Sequence, residues 1–218
     1  MTSSTLRFFF NPMSRARMVR WMQEECGAEY ESVQLEFGTT MKSPDYLAIN
    51  PMGKVPAITD GGTVITETGA ILAYLADKYP HKQLAPAVGS AARGEYYRWL
   101  FFVGGPVEAA TTAKSEGWLQ EQTARQAVSA GFGRFDDLVR TLEQAVAGKR
   151  YLCGDHFTAA DLYMASYLRW SMMTGQLPQK EVFQAYAEPL CARPAALRAN
   201  AIDALPGQAQ GAPLAKQG

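Results

Sequence analysis

Cysteine is scarce in this chain: three in 218 residues, Cys26, Cys153 and Cys191, an odd number, far apart and with no Cys-x-x-Cys pair. That excludes a disulfide framework and a dithiol redox centre. Two histidines and no clustered thiols leave little from which to build a zinc site, so no metal is expected. No run approaches the eighteen or so apolar residues of a membrane span. The start, MTSSTLRFFF, lacks a basic region followed by a long apolar stretch and a small-residue cleavage site. A cytoplasmic protein with no membrane partner is the expectation. Neither sign of charge is in excess, with 21 basic and 21 acidic residues overall. Up to Pro80 there are 7 basic and 9 acidic residues, and 14 and 12 beyond it, so no nucleic-acid partner is expected.

What the chain has is 47% hydrophobic residues, enough for one large core or two modest ones. Leu6 to Phe10 is an apolar and aromatic run interrupted by Arg7 and closed by Asn11 and Pro12, which reads as a buried strand. From Ser14 to Cys26 the residues Met18, Val19, Met22 and Cys26 recur at helical spacing. Arg15, Arg17, Arg20, Glu24 and Glu25 fall to the wetter side of that helix, and Gly27 stops it. Tyr30 to Leu35 is a second strand, and 37–50 a loop with a short helical piece around Asp45 to Ile49. Asp60-Gly61-Gly62 between the Val55 to Ile58 and Val64 to Ile65 runs marks a hairpin. Thr68 to Tyr79 is a helix ending at Pro80. The order strand, helix, strand, loop, hairpin, helix describes a compact α/β unit.

After Pro80 no strand pattern recurs. Residues 81–89 read as a linker. Ala91 to Ala113 is a long helical pattern that Gly104, Gly105 and Pro106 should bend or divide. Gln120 to Ala147 is another, capped by Gly148. Thr158 to Met172 and Glu181 to Cys191 follow, then a short helix from Pro194 to Ala204. Thr158 with Asp161 three residues on is a near capping box, and Phe157 with Leu162 a hydrophobic staple, a structural device with no chemistry assigned to it. The tail, 205–218, is rich in Gly, Ala, Pro and Gln and reads as weakly packed.

Five pieces in this order and at these separations resemble the cytosolic glutathione transferase superfamily, serine-type and bacterial-like. They are Asn11-Pro12-Met13-Ser14-Arg15, Asn50-Pro51-Met52-Gly53-Lys54-Val55-Pro56, Glu67-Thr68, Gly154 to Asp161, and Ala192-Arg193-Pro194. The resemblance implies a thioredoxin-like α/β domain over 1–80 and an all-helical domain over 90–204. It also implies a homodimer, an active site between the two domains, and a cis bond before Pro56. Glutathione is the implied cosubstrate.

Residue by residue, the resemblance makes Ser14 the catalytic group, its hydroxyl donating to the glutathione sulfur; without that context Ser14 reads as an ordinary helix-capping serine. Lowering a thiol of pKa about 8.5 by roughly 2 units takes about 2.7 kcal/mol. A charge-assisted hydrogen bond of roughly 1.5 to 3 kcal/mol and a helix-terminus contribution of roughly 0.3 to 1 cover it. Arg15 and Arg17 are further cations that raise the potential near the sulfur, Arg17 equally a solvated residue. The Val55 backbone beside Pro56 is implied to pair with the cysteinyl part in the manner of an added strand. Glu67 and Thr68 at the start of a helix are implied to hold the γ-glutamyl end. Lys54 and Lys42 are the candidate cations for the glycyl carboxylate, with Lys54 preferred because it adjoins the turn. Tyr97 and Phe101 are candidates for the acceptor site, within an aromatic cluster (Tyr96, Tyr97, Trp99, Phe101, Phe102) that reads equally as core.

The function implied is transfer of glutathione sulfur to an electrophilic, hydrophobic acceptor. The alternatives are peroxidase activity on organic hydroperoxides and a non-catalytic glutathione-binding protein. Serine rather than cysteine at position 14 speaks against thiol-exchange chemistry.

Overall fold

The computed structural model describes residues 6–119 and 123–204; the tail expected at 205–218 lies outside them. Strands β1 (Leu6–Phe10), β2 (Tyr30–Gln34), β3 (Ala57–Asp60) and β4 (Thr63–Thr66) form one sheet in the order β2-β1-β3-β4. β1 runs parallel to β2 and antiparallel to β3, and β3 and β4 are the expected hairpin. The central strand is apolar because both of its faces are covered. Alternation sends Phe8 and Phe10 into the main core and Phe9 into a smaller cluster with Leu35, Met41, Tyr46 and Ala57. Each fully buried side chain of this kind contributes about 1.5 to 3 kcal/mol. Arg7 leaves the run at its wet position and pairs with Glu31, its direct neighbour on β2, at 3.3 Å.

The helices beside the sheet are α1 (Ala16–Cys26), the short α2 (Pro44–Leu47) and α3 (Thr68–Lys78). Gly27 closes α1 in the left-handed conformation, at φ 62°. Ile71, Leu72 and Leu75 of α3 are fully buried against the sheet side of the core. A link through Leu84, whose carbonyl accepts the Ala159 N–H at 2.8 Å, then leads into the helical half.

That half holds α4 (Ala91–Phe102), α5 (Glu108–Ser115), α6 (Ala124–Ser129), α7 (Phe135–Val146), α8 (Ala159–Met173), α9 (Glu181–Cys191) and α10 (Pro194–Ile202). Between α4 and α5 the chain makes a π-helical turn, Val103–Val107, at the Gly-Gly-Pro where a bend was expected. Helix α8 is the buried centre, and Asp161 reaches back from it as expected, accepting from the Thr158 N–H and Oγ1, each at 2.8 Å. It also accepts from Leu152 N and Tyr186 Oη, both at 2.7 Å. One carboxylate thus joins the α8 cap to α9 and to the preceding loop.

Two expectations are corrected. The single helix over Gln120 to Ala147 is two, because α6 ends at Ser129 and Gly133 takes φ +68° before α7 begins; 120–122 lie outside the described residues. A left-handed residue cannot continue a right-handed helix. Arg20, placed on the wet side of α1, is only 2% exposed. Helix α10 covers that side: Arg20 Nε meets Asp203 Oδ1 at 2.7 Å, Arg193 meets Glu25 at 2.6 Å, Arg198 meets Glu24 at 3.2 Å, and Arg17 donates to Asn200 at 3.0 Å. The charges on α1 are an interface between the two halves.

Candidate functional site

The loop that delivers Ser14 is built by Asn11, a buried residue whose side chain donates to Leu35 O at 2.7 Å and accepts the Met13 N–H at 2.9 Å. Its carbonyl accepts from both the backbone N–H and the hydroxyl of Ser14, at 3.1 and 2.7 Å. Ser14 Oγ in turn accepts the Ala16 N–H at 3.1 Å. Ser14 therefore stands just ahead of α1, with Arg15 in the capping position, and its hydroxyl proton is engaged by a carbonyl.

The Val55–Pro56 bond is cis, and the Val55 N–H and C=O make no hydrogen bond among the described residues. The turn before it is fastened by Lys54 O, which accepts from Tyr46 Oη at 2.5 Å and Asn50 Nδ2 at 2.8 Å. Lys42 Nζ donates to Met52 O at 2.9 Å. Gly53, at φ +57°, is required there: a Cβ would lie 2.6 Å from Met41 O and 2.8 Å from Lys42 Nζ. Both lysines therefore belong to one turn, Lys54 exposed and Lys42 spanning it. Glu67 precedes α3 in an unusual backbone conformation, φ 66° and ψ 121°, and gives the helix no side-chain cap. Thr68, buried, is the first helical residue. A non-glycine residue held at positive φ costs on the order of 1 to 3 kcal/mol, a cost that concentrates at ligand sites.

The helical half supplies a facing wall that the sequence reading did not contain. Arg15 Nη1 pairs with Glu108 Oε1 of α5 at 3.0 Å, and Arg15 Nη2 donates to Tyr167 Oη of α8 at 3.4 Å. Thr111 donates its hydroxyl proton to Val107 O at 2.8 Å, so the 2.8 Å contact between Thr111 and Tyr167 takes its proton from tyrosine. Tyr167 is left with lone pairs toward Arg15, as an orienting group. Tyr163, one turn earlier on α8, lies against Gly69 of α3 and Gly104 of the π-turn. The aromatic cluster divides by helical phase. Tyr96 and Trp99 are core, whereas Tyr97 is 42% exposed against Arg93 and Phe101 is 77% exposed. No sequence signal marked Glu108, Tyr163 or Tyr167, because each acts through a contact far along the chain.

All three cysteines are buried. Burial pushes the Cys26 and Cys153 thiols up to about 12 and raises that of Cys191. None is an accessible nucleophile. No group of three or more His, Cys, Asp or Glu residues that could hold a metal occurs among the described residues, and no described helix is long and apolar enough to cross a membrane.

The family model for the glutathione S-transferase N-terminal domain matches residues 4–77, and that for the C-terminal domain matches residues 125–199. Glutathione S-transferase GstA of Escherichia coli O157:H7 is 28% identical over 76% of this chain and 82% of its own. Glutathione S-transferase GST-4.5 of Xanthomonas campestris is 32% identical over 62% and 68% respectively. Among solved structures, a glutathione transferase from Methylococcus capsulatus superposes with a TM-score of 0.73 at 28% identity, covering 91% of this chain and 98% of that one. A sphingomonad glutathione S-transferase complexed with glutathione gives 0.70 at 28%, covering 90% and 98%. With both halves of the fold matched, in order and nearly end to end, the chain belongs to the glutathione S-transferase family.

Proposed function

We propose that the protein binds glutathione along the Ser14, Val55 and Glu67 segments and transfers its sulfur to an electrophilic, hydrophobic acceptor. The observation that carries this reading is Glu67, held at φ 66° ahead of an uncapped helix start: free N–H groups and the helix dipole suit the γ-glutamyl carboxylate, and the Glu67 side chain its ammonium. The unpartnered Val55 backbone suits the cysteinyl peptide group. Lys54, exposed beside the turn, is the cation for the glycyl carboxylate, with Lys42 behind it. Tyr97 and Phe101 supply apolar surface to the acceptor, and the protein works as a homodimer in the cytoplasm, a state that light scattering after gel filtration tests.

Ser14 holds the sulfur as thiolate. Its hydroxyl must first leave Asn11 O. That exchange returns about 1 kcal/mol of the gain, so the thiol pKa falls by nearer 1 unit than 2. Glutathione titrated into the protein and followed by thiolate absorbance tests the reading. Binding with thiolate formation near neutral pH is expected; no binding overturns it.

A further inference from the structure

The peptide unit between Lys54 and Val55 is held at one edge and free at the other. Its carbonyl accepts from Tyr46 Oη at 2.5 Å and Asn50 Nδ2 at 2.8 Å, whereas its N–H, on Val55, has no partner among the described residues. The unit is trans and planar, so carbonyl and N–H point in opposite directions. Fixing Lys54 O on Tyr46 and Asn50 therefore aims the Val55 N–H away from both. Tyr46 is the firmer of the two donors. It is 3% exposed, and its ring lies against Phe9 of β1, with centroids 5.5 Å apart, in the cluster that holds Leu35, Met41 and Ala57. Its own carbonyl accepts from Ile49 N at 2.9 Å and Asn50 N at 2.8 Å, so it also sets where Asn50 stands. A buried phenol, seated on the inner face of the central strand, thus fixes the direction of one free backbone donor.

We propose that Tyr46 is a positioning residue for glutathione: by donating to Lys54 O it aims and polarises the Val55 N–H, which is the donor for the cysteinyl carbonyl. The proposal rests on the glutathione-binding reading given above. Two donors on one carbonyl draw electron density from the peptide nitrogen, and hydrogen bonds linked through a peptide unit in this way strengthen one another. The Val55 N–H is accordingly a better donor than an ordinary amide, and it is set in place before the ligand arrives. Tyr46 touches no part of glutathione in this arrangement and acts only through the peptide unit. Burial pushes its phenol up to about 12, so it keeps its proton across the range in which the glutathione thiol titrates, around a value of about 8.5.

The experiment titrates two thiols calorimetrically into the parent, Tyr46→Phe and Asn50→Asp: glutathione, and γ-glutamylcysteamine, which keeps the γ-glutamyl group and the thiol but has no cysteinyl carbonyl. Tyr46→Phe keeps the ring on Phe9 and loses only the donor. It is expected to raise the glutathione Kd about fivefold, the worth of one hydrogen bond, and to leave that of γ-glutamylcysteamine within about twofold. Asn50→Asp keeps the acceptor for the Met52 N–H and turns the second donor into an oxygen. It should reproduce the selective loss, and it decides the matter alone if Tyr46→Phe does not fold. The amide nitrogen resonance of Val55 in the free protein should move upfield in either variant, and it decides if γ-glutamylcysteamine binds too weakly to titrate. Equal losses for both thiols, an unchanged glutathione Kd, or an unmoved Val55 resonance overturns the role of Tyr46. A parent that binds neither thiol instead overturns the proposed function, and this inference with it.

Discussion

Ser14 shows how much a residue's role depends on the proton it can spare. Its hydroxyl is paired to Asn11 O at 2.7 Å, so sulfur activation is a competition between two acceptors. Ser14→Ala should return the bound thiol toward its ordinary value near 8.5, a rise of about 1 unit, while glutathione affinity changes little, because the other contacts remain. Thiolate absorbance against pH, with and without the substitution, reads this directly; identical curves refute it. The cysteines make the opposite case. With Cys26 and Cys153 pushed up to about 12 by burial, their thiolate fraction at pH 8 is on the order of one in ten thousand. Ellman's reagent should label none of the three thiols in the native protein and all three in denaturant; fast native labelling at any of them contradicts the burial described above.

At the scale of elements, α1 is the piece on which both halves depend. Its apolar face packs on the sheet and its charged face on α10, so the helix that opens behind Ser14 is gripped from both sides. Arg20 is the centre of that grip: besides Asp203 it donates to Tyr30 Oη at 3.2 Å and Ser32 Oγ at 3.1 Å and lies over the Phe10 ring at 4.3 Å. Removing its counter-ion with Asp203→Ala strands a buried guanidinium and should cost about 3 to 5 kcal/mol, measured as a lower denaturant midpoint at unchanged m. A cost below about 1 kcal/mol would mean that water reaches Arg20 after all. Thr158→Ala, which leaves the Asp161 carboxylate one donor short at the head of α8, should cost about 1 to 2 kcal/mol by the same measurement. These cap residues, Thr158 and Asp161, were legible in the sequence because a cap is a local pattern. The α1–α10 pairing was not, because its partners lie up to 183 residues apart.

For the molecule as a whole, burial of thiols and phenols sets an alkaline limit. Cys26, Cys153 and Tyr46 are all held at about 12 in the folded state, chiefly by desolvation, against about 8.5 for an ordinary thiol and about 10 for an ordinary phenol. Between those values the folded chain keeps protons that the unfolded chain has lost. Stability therefore falls as pH rises from about 9 toward 12, by up to about 1.4 kcal/mol per pH unit for each such group. Urea midpoints measured from pH 7 to pH 11 should decline increasingly steeply above pH 9; a flat series would show that these groups reach solvent. Taken by itself, the sequence determined what short-range physics controls: the apolar run of β1, the Asp-Gly-Gly reversal, the spacing of Ile71, Leu72 and Leu75, the α8 cap, and the motif positions that place the chain in its family. Tertiary structure alone decided which side of α1 is wet, where the Ser14 proton goes, and that Arg15, Glu108, Tyr163 and Tyr167 share one wall. Those outcomes depend on which distant segments cover a residue, and burial and electrostatic pairing at long range leave no periodicity along the chain from which to read them.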